Sequence, residues 1–250
     1  QLGDGKLLSQ LTKKSVVYNF RQTDLKNGGE GAPLTPIFHK LIVEMFEKEN
    51  KLNTPVTILN IGGIANITSI DQTFNMTSSD IGPGNCLIDK WIRANSAKNF
   101  DDEGKIAESG KIDKFILEQS LDNFYNNYIS KKKSLDTNDF DISFARGLSL
   151  EHGAATITEF TAHILSKKLL DNNIYVCGGG RRNNFLIKSI QNKIKNEIKK
   201  IDDLKIDGGF IESQAFAYLA IRSYLNLPIS FPETTGCNQP TIGGILVKNF

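Results

Sequence analysis

Apolar and polar positions change period several times along the chain. Ser15 to Phe20 is rich in β-branched and aromatic residues and predicts a short strand. Ile37, Leu41, Ile42, Met45 and Phe46 recur at helical spacing, which predicts a helix over Ile37 to Lys48. Thr35 fits its N-cap and Pro36 its first helical position. The pattern then turns strand-like. Val56 to Asn60 and Ile64 to Ile70 flank Gly62-Gly63, and Thr73 to Ser78 reads as a third strand ending at Asp80. Gly-Gly between β-branched runs favours a tight turn with positive φ and backbone N–H groups turned outward. Helical spacing returns at Leu87, Ile88, Trp91 and Ile92. Asn99 to Lys133 is polar and partly helical, and its Lys131-Lys132-Lys133 run reads as a solvated loop or an anion contact. Ala155 to Leu170 is an amphipathic helix, and Ile174 to Cys177 a short buried strand. Asn184 to Ile198 and Ile211 to Leu225 are further helices, before an extended return at Thr241 to Ile245. Leu2 to Leu8 reads as the tail of a hairpin, and Asn27 to Pro33 as a loop.

Strand, glycine turn and helix in repetition indicate an α/β protein. The first strands are joined by turns too short for helical crossovers, so a simple doubly wound sheet is excluded. Three antiparallel strands, then helices and a further strand, form the ribonuclease-H-like pattern of two-lobed ATP-dependent kinases. The expected fold is therefore a ribonuclease-H-like mixed sheet flanked by helices.

Composition narrows the function classes. The chain has 250 residues with 39% hydrophobic content, enough for one large domain or two lobes. Its 30 basic and 28 acidic residues leave a net charge of +2, which argues against an electrostatic nucleic-acid binder. No apolar run is long enough for a membrane span. Cys86, Cys177 and Cys237 form neither a ligand cluster nor a disulfide framework, as expected in a reducing cytoplasm. The leading Gln predicts a piece of something longer or a trimmed product.

Two turns carry the candidate chemistry. Val176-Cys177 leads into Gly178-Gly179-Gly180 and then a helix start. Glycines there would let a nucleotide lie against the backbone, with the helix N-terminus favouring its negative charge. A crowded strand-to-helix turn explains them equally well. The Gly-x-Gly-x-x-Gly and Walker spacings are absent. Asp80 stands before Gly82-Pro83-Gly84 as a candidate general base or magnesium partner, with an Asx turn or helix cap as the alternative. Asp89 is expected to face solvent. Glu212 opens a helix, where the helix dipole alone would favour it; a substrate contact is the sharper reading. Arg21 could clamp a substrate carboxylate or merely pair with Asp24 at the surface. His39, His152 and His163 show no ligand spacing, and no metal ligands are expected.

Together, several ordered stretches resemble the anhydro-N-acetylmuramic acid kinase family of the sugar kinase and actin-like ATPase superfamily. They are Gln1 to Gly5, Phe20 to Asp24, Gly28 to Leu34, Leu59 to Thr68, Asp80 to Asn85 with Leu87 to Trp91, Val176 to Asn183, Glu212 to Ala217 and Thr234 to Gly236. The resemblance implies ATP- and Mg2+-dependent opening and phosphorylation of 1,6-anhydro-N-acetylmuramic acid to N-acetylmuramic acid 6-phosphate, a step of peptidoglycan recycling. It implies Asp80 as the general base, Arg21 and Glu212 on the sugar side, and Asn60, Gly62, Gly63 and Gly178 to Gly180 toward the nucleotide. It also implies a first lobe of which residues 1–20 are a remnant, a second lobe over 21–235 and a return segment over 236–250. A homodimer or a complementing N-terminal segment is the expected partner. The family's Gly-Thr-Ser-x-Asp-Gly phosphate loop and Ser-His-Gly-Gln segment are not found here. Glu30 stands where Gln is expected, and Lys132 to Asp136 departs from the family's Lys-Ser-Thr-Gly-Arg. The alternative is therefore a catalytically inactive, truncated remnant that folds and binds nucleotide or a partner.

Overall fold

The computed structural model describes residues 3–127, 135–169 and 173–250. The Lys131 to Lys133 run and the Gln1-Leu2 pair lie outside them. In chain order the elements are α1 (Gly5–Thr12), β1 (Val16–Tyr18), α2 (Gln22–Lys26), α3 (Pro36–Lys48), β2 (Val56–Ile61), β3 (Ile64–Ile70) and β4 (Met76–Pro83). There follow α4 (Cys86–Asn95), α5 (Lys105–Ser109), α6 (Lys114–Asn127), α7 (Leu150–Ser166), β5 (Asn173–Cys177), α8 (Asn184–Gln191), β6 (Ile198–Lys200), α9 (Ile211–Tyr224), α10 (Pro232–Thr235) and β7 (Ile245–Val247).

The main sheet has five strands in the order β4-β3-β2-β5-β6. Neighbouring β2, β3 and β4 are joined by connections too short for a crossover, so they form an antiparallel meander. β5 returns on the other side of β2 and runs parallel to it, with Leu59 opposite Val176 and Asn60 opposite Cys177. β6 continues the parallel half. This is the ribonuclease-H-like mixed sheet that the sequence pattern predicts. All six residues of β2 are buried, as expected of a central strand covered on both faces.

The chain divides into two compact units. One comprises Asn53–Ile67 and Asp80–Gly209. Its core gathers Leu59 and Ile61 of β2, Leu87, Ile88, Trp91 and Ile92 of α4, Ile157, Ile164 and Leu165 of α7, and Leu186 and Ile190 of α8. Trp91 donates its indole N–H to the Leu150 carbonyl at 2.8 Å, which fixes α4 against the start of α7. The other unit comprises the described residues up to Leu52, Thr68–Ser79 and Phe210–Phe250. Phe20, Ile37, Ile42, Val43, Phe46, Ile211 and Leu219 are buried in it. Residues 3–20 and 236–250 both fall in this unit, where β1 pairs antiparallel with β7, Val17 opposite Leu246. Residues 21–235 are shared between the two.

Several local expectations are corrected. Of the Leu2 to Leu8 stretch, the described residues do not end a hairpin: Asp4 accepts from the Lys6 and Leu7 N–H groups and starts α1. The third strand begins at Met76 rather than Thr73, because Asp71 accepts from the Thr73 and Asn75 N–H groups and closes a turn there. The helix from Asn184 stops at Gln191, not Ile198. Gln191 instead turns its side-chain oxygen to the Ile198 N–H at 2.8 Å, where β6 begins. Thr35 sits at the N-cap of α3 without a side-chain cap bond, while Met45 on that helix is exposed and Val43 is buried.

Candidate functional site

The unit holding α4, α7 and α8 brings most of the candidate residues to one end of the parallel strand pair. Asn60 is the penultimate residue of β2 and Cys177 the last of β5, and the two are register partners. Asn60 is buried, and its Oδ1 accepts from the Cys177 thiol at 3.7 Å. Gly178 follows with φ of +80°. A Cβ there would fall 2.4 Å from Asn60 Oδ1, so only glycine fits this exit from the strand. A Cβ on Gly180 would meet Ile61 Cγ2 at 2.2 Å. Gly179 is different. It is exposed, and the nearest atom to a Cβ would be Asn85 Nδ2 at 3.7 Å. The outer two glycines are thus demanded by crowding against β2, and the middle one leaves backbone accessible. The 3-10 turn Gly179–Arg182 leads into α8, whose N-cap Asn183 accepts from the Leu186 N–H at 2.9 Å.

The Gly62-Gly63 turn closes the β2–β3 hairpin, but neither glycine has positive φ. Its carbonyls are the working groups. Gly63 O accepts from the Gly84 and Cys86 N–H groups at 2.9 and 3.1 Å, and Gly62 O from the Asn85 N–H at 2.8 Å. The first turn of α4 is therefore anchored on the hairpin, and Gly62 N itself donates to Ile64 O at 3.2 Å. The expected outward display of N–H groups is replaced, at Gly62, by an internal bond.

Asp80 lies inside the edge strand β4 rather than after it. It is half-buried, and its Oδ2 accepts from the Leu135 N–H at 2.8 Å. It caps no helix, since Asn85 holds the N-cap position of α4. A carboxylate held by a distant backbone N–H keeps a fixed direction, which a base acting on a bound water requires.

Beside Gly179 opens a cavity of about 400 Å³ lined by residues that include Asn85, Asp89, Arg93, Asp101, Arg182 and Asn183. Asp89, expected to face solvent, is half-buried on this wall. Burial raises its carboxyl above the usual range, partly offset by Arg93. The sequence reading missed this cavity. Its walls come from α4, the loop before α5 and the glycine turn, and no local motif joins the three. Asp101 is not free to serve a ligand with both oxygens, because they accept from the Ile106 and Ala107 N–H groups at 2.8 and 2.9 Å. Among the described residues no group of three or more His, Cys, Asp or Glu could hold a metal ion, and no helix is long and apolar enough to cross a membrane.

Arg21 and Glu212 belong to the other unit. Arg21 is exposed at the start of α2, and Glu212 is exposed in the first turn of α9. The Arg21–Asp24 surface pair is not formed. Asp24 is buried and takes its bonds from Gly31 N–H and the Thr235 hydroxyl.

The family model for anhydro-N-acetylmuramic acid kinase matches residues 1–249. The chain belongs to the anhydro-N-acetylmuramic acid kinase family. A member from Pelagibacter ubique is 51% identical over 266 residues, covering 100% of this chain and 69% of the relative. One from Zymomonas mobilis is 40% identical over 250 residues, covering 98% of this chain and 67% of the relative. The chain thus spans about two thirds of the length of the kinases it matches. Among solved structures, an activator of 2-hydroxyisocaproyl-CoA dehydratase from Clostridium difficile with bound ADPNP aligns at TM-score 0.42 and 14% identity, over 70% of this chain and 64% of the other, too distant to carry an argument. Kinase-family membership makes ATP the expected phosphoryl donor.

Proposed function

We propose that this chain is the nucleotide-binding and general-base part of an ATP-dependent kinase that hydrolytically opens 1,6-anhydro-N-acetylmuramic acid and phosphorylates it to N-acetylmuramic acid 6-phosphate in peptidoglycan recycling. Family membership over residues 1–249 is the observation that carries this reading. The residues fit a nucleotide: Gly179 presents open backbone at the mouth of the cavity, next to Arg182 and Asn183. Mg2+ usually arrives with phosphates and needs only one or two protein carboxylates, so the lack of a three-acid cluster among the described residues is compatible with it. ATP, when bound with its metal, supplies the γ-phosphoryl group.

Each residue then has a role. Asp80, oriented by the Leu135 N–H, accepts a proton from the water that attacks the anomeric carbon. The bridging C–O bond breaks, and the freed oxygen becomes the phosphoryl acceptor. Gly63 and Gly179, both exposed, face the phosphates and adenosine, and Asn60, Gly62, Gly178 and Gly180 shape the two turns that present them. Arg21 meets the sugar's lactyl carboxylate as a bidentate donor, and Glu212 faces the sugar. In this reading residues 1–20 and 236–250 belong with the first lobe and 21–235 with the second, and the protein works in the cytoplasm.

A second reading is a folded remnant that binds nucleotide or a partner without chemistry. The deciding measurement is phosphate transfer from ATP to anhydro-N-acetylmuramic acid. It is run on this chain alone and on the chain mixed with the unmatched segment of the Pelagibacter ubique relative. Transfer in either, lost with Asp80→Asn, supports the kinase; transfer in neither supports the remnant.

A further inference from the structure

Arg181 and Arg182 are adjacent in sequence and opposite in use. Arg182 is exposed and lines the cavity beside Gly179. Arg181 is buried, with 4% of its surface accessible. Its Nε donates to Asp202 Oδ2 at 2.8 Å, and its Nη2 to Asp202 Oδ1 at 3.0 Å and Asp207 Oδ1 at 3.3 Å. Its Nη1 donates to the Gly178 carbonyl at 3.1 Å. A guanidinium has five N–H donors, and these contacts engage all three of its nitrogens, so little is left for a ligand. The Asp202 pair is bidentate, a geometry that lysine cannot reproduce.

The network closes on itself. Gly178 N–H donates to the Gly208 carbonyl at 3.2 Å, and Gly208 N–H donates to Asp202 Oδ1 at 3.3 Å. Both backbone polar groups of Gly178 are therefore tied to the segment running from Ile201 to Gly209. A Cβ on Gly208 would fall 2.5 Å from Arg181 Nε, so this segment lies directly against the guanidinium. On its other side Gly178 abuts Asn60 and Ile61. The turn is gripped from two directions while Gly179 stays open.

We infer that Arg181 is a positioning residue for nucleotide binding. It does not touch the nucleotide; it holds Gly178 so that the Gly179 backbone faces the cavity. This rests on the reading that the glycine turn takes a nucleotide. A binding group held by a rigid supporting shell is preorganised for its ligand, so loosening this strut should be visible in affinity.

The test uses the 250-residue chain, a fluorescent N-methylanthraniloyl ADP and the variants Arg181→Lys, Arg181→Met and Asp202→Asn. Thermal melting and amide hydrogen exchange are measured on the same samples. The expected result is intact folding with ADP affinity lowered by roughly ten- to hundred-fold, the affinity equivalent of one lost hydrogen bond to a charged group. Exchange should be faster at Gly178 to Asn183 and unchanged in α7. If Arg181→Met fails to fold, Asp202→Asn, which keeps the shape of the acid and removes its charge, carries the comparison. Variants that melt earlier yet bind ADP with wild-type affinity would show a merely structural bond and overturn the inference. Unchanged exchange at the turn would overturn it as well. If the wild-type chain binds no ADP, the nucleotide reading itself fails, a result seen before any variant is compared, and the inference falls with it.

Discussion

Thr235 donates its hydroxyl to Asp24 Oδ1 at 2.6 Å across 211 positions of the chain, and both residues are buried. Asp24 Oδ2 accepts from the Gly31 N–H at 2.7 Å. The carboxylate thus ties α2, the glycine loop after it and the last turn of α10. Thr235→Val would leave a buried carboxylate oxygen short of its closest donor, at an expected cost of about 1–3 kcal/mol. Asp24→Asn should cost less. Its remaining oxygen can take the Gly31 N–H, and its amide can donate to a hydroxyl that accepts as readily as it donates. Urea unfolding of the two variants should rank Thr235→Val as the less stable.

The same contact shows where sequence reading stops. Periodicity located α3, α4 and α9, because each buries one face against a core of its own unit and the apolar spacing records that; β2 stands out instead as a β-branched run buried on both faces. Chain proximity offers Arg21 as one surface partner for Asp24; Thr235, which donates to it, lies far along the chain, and no local pattern encodes such a bond. β6 escaped for a related reason. Ile198-Lys199-Lys200 carries too little apolar signal for a strand, and its place beside β5 is set by the parallel ladder. The site divides in the same way. The glycines and Asp80 are visible as motifs, whereas the cavity wall at Asp89 and the Arg181 strut exist only once separate elements meet.

Gly84 gives a second prediction, about backbone proximity. A Cβ at this position would lie 2.2 Å from the Gly62 carbonyl oxygen and 3.1 Å from that of Gly63, and neither is a flexible side-chain end that can step aside. Gly84→Ala must push α4 off the β2–β3 hairpin and break the bonds from Gly84, Asn85 and Cys86, at a cost of about 1–3 kcal/mol or more. Gly63 is exposed, lacks positive φ, and a Cβ there would meet only Thr137 Cγ2 at 3.5 Å. Gly63→Ala should leave stability within about 0.5 kcal/mol of wild type. Denaturant midpoints decide between the two. On the proposed function Gly63→Ala should still weaken ADP binding, so affinity and stability would separate at this position.

His39 sets a pH dependence of the fold. It is buried on α3, with Nδ1 2.8 Å from Thr68 Oγ1 and with Nε2 lacking a partner among the described residues. Burial lowers its pKa from 6.5 to about 4. Above about pH 6.5 the ring is neutral in both states and contributes no slope. Between about pH 6.5 and 4 the unfolded chain binds a proton that the folded chain refuses, so stability falls as pH falls, and below about pH 4 the loss levels off. A shift of this size corresponds to roughly 3 kcal/mol lost across the window. Carboxylates add their own acid sensitivity, so the comparison is with His39→Gln, which keeps a hydrogen-bonding group near Thr68 and cannot titrate. Urea midpoints measured at several pH values from 7.5 down to 4.5 should fall more steeply for the wild type than for His39→Gln. Equal slopes would mean that His39 is already charged or solvated in the folded chain, contrary to its burial.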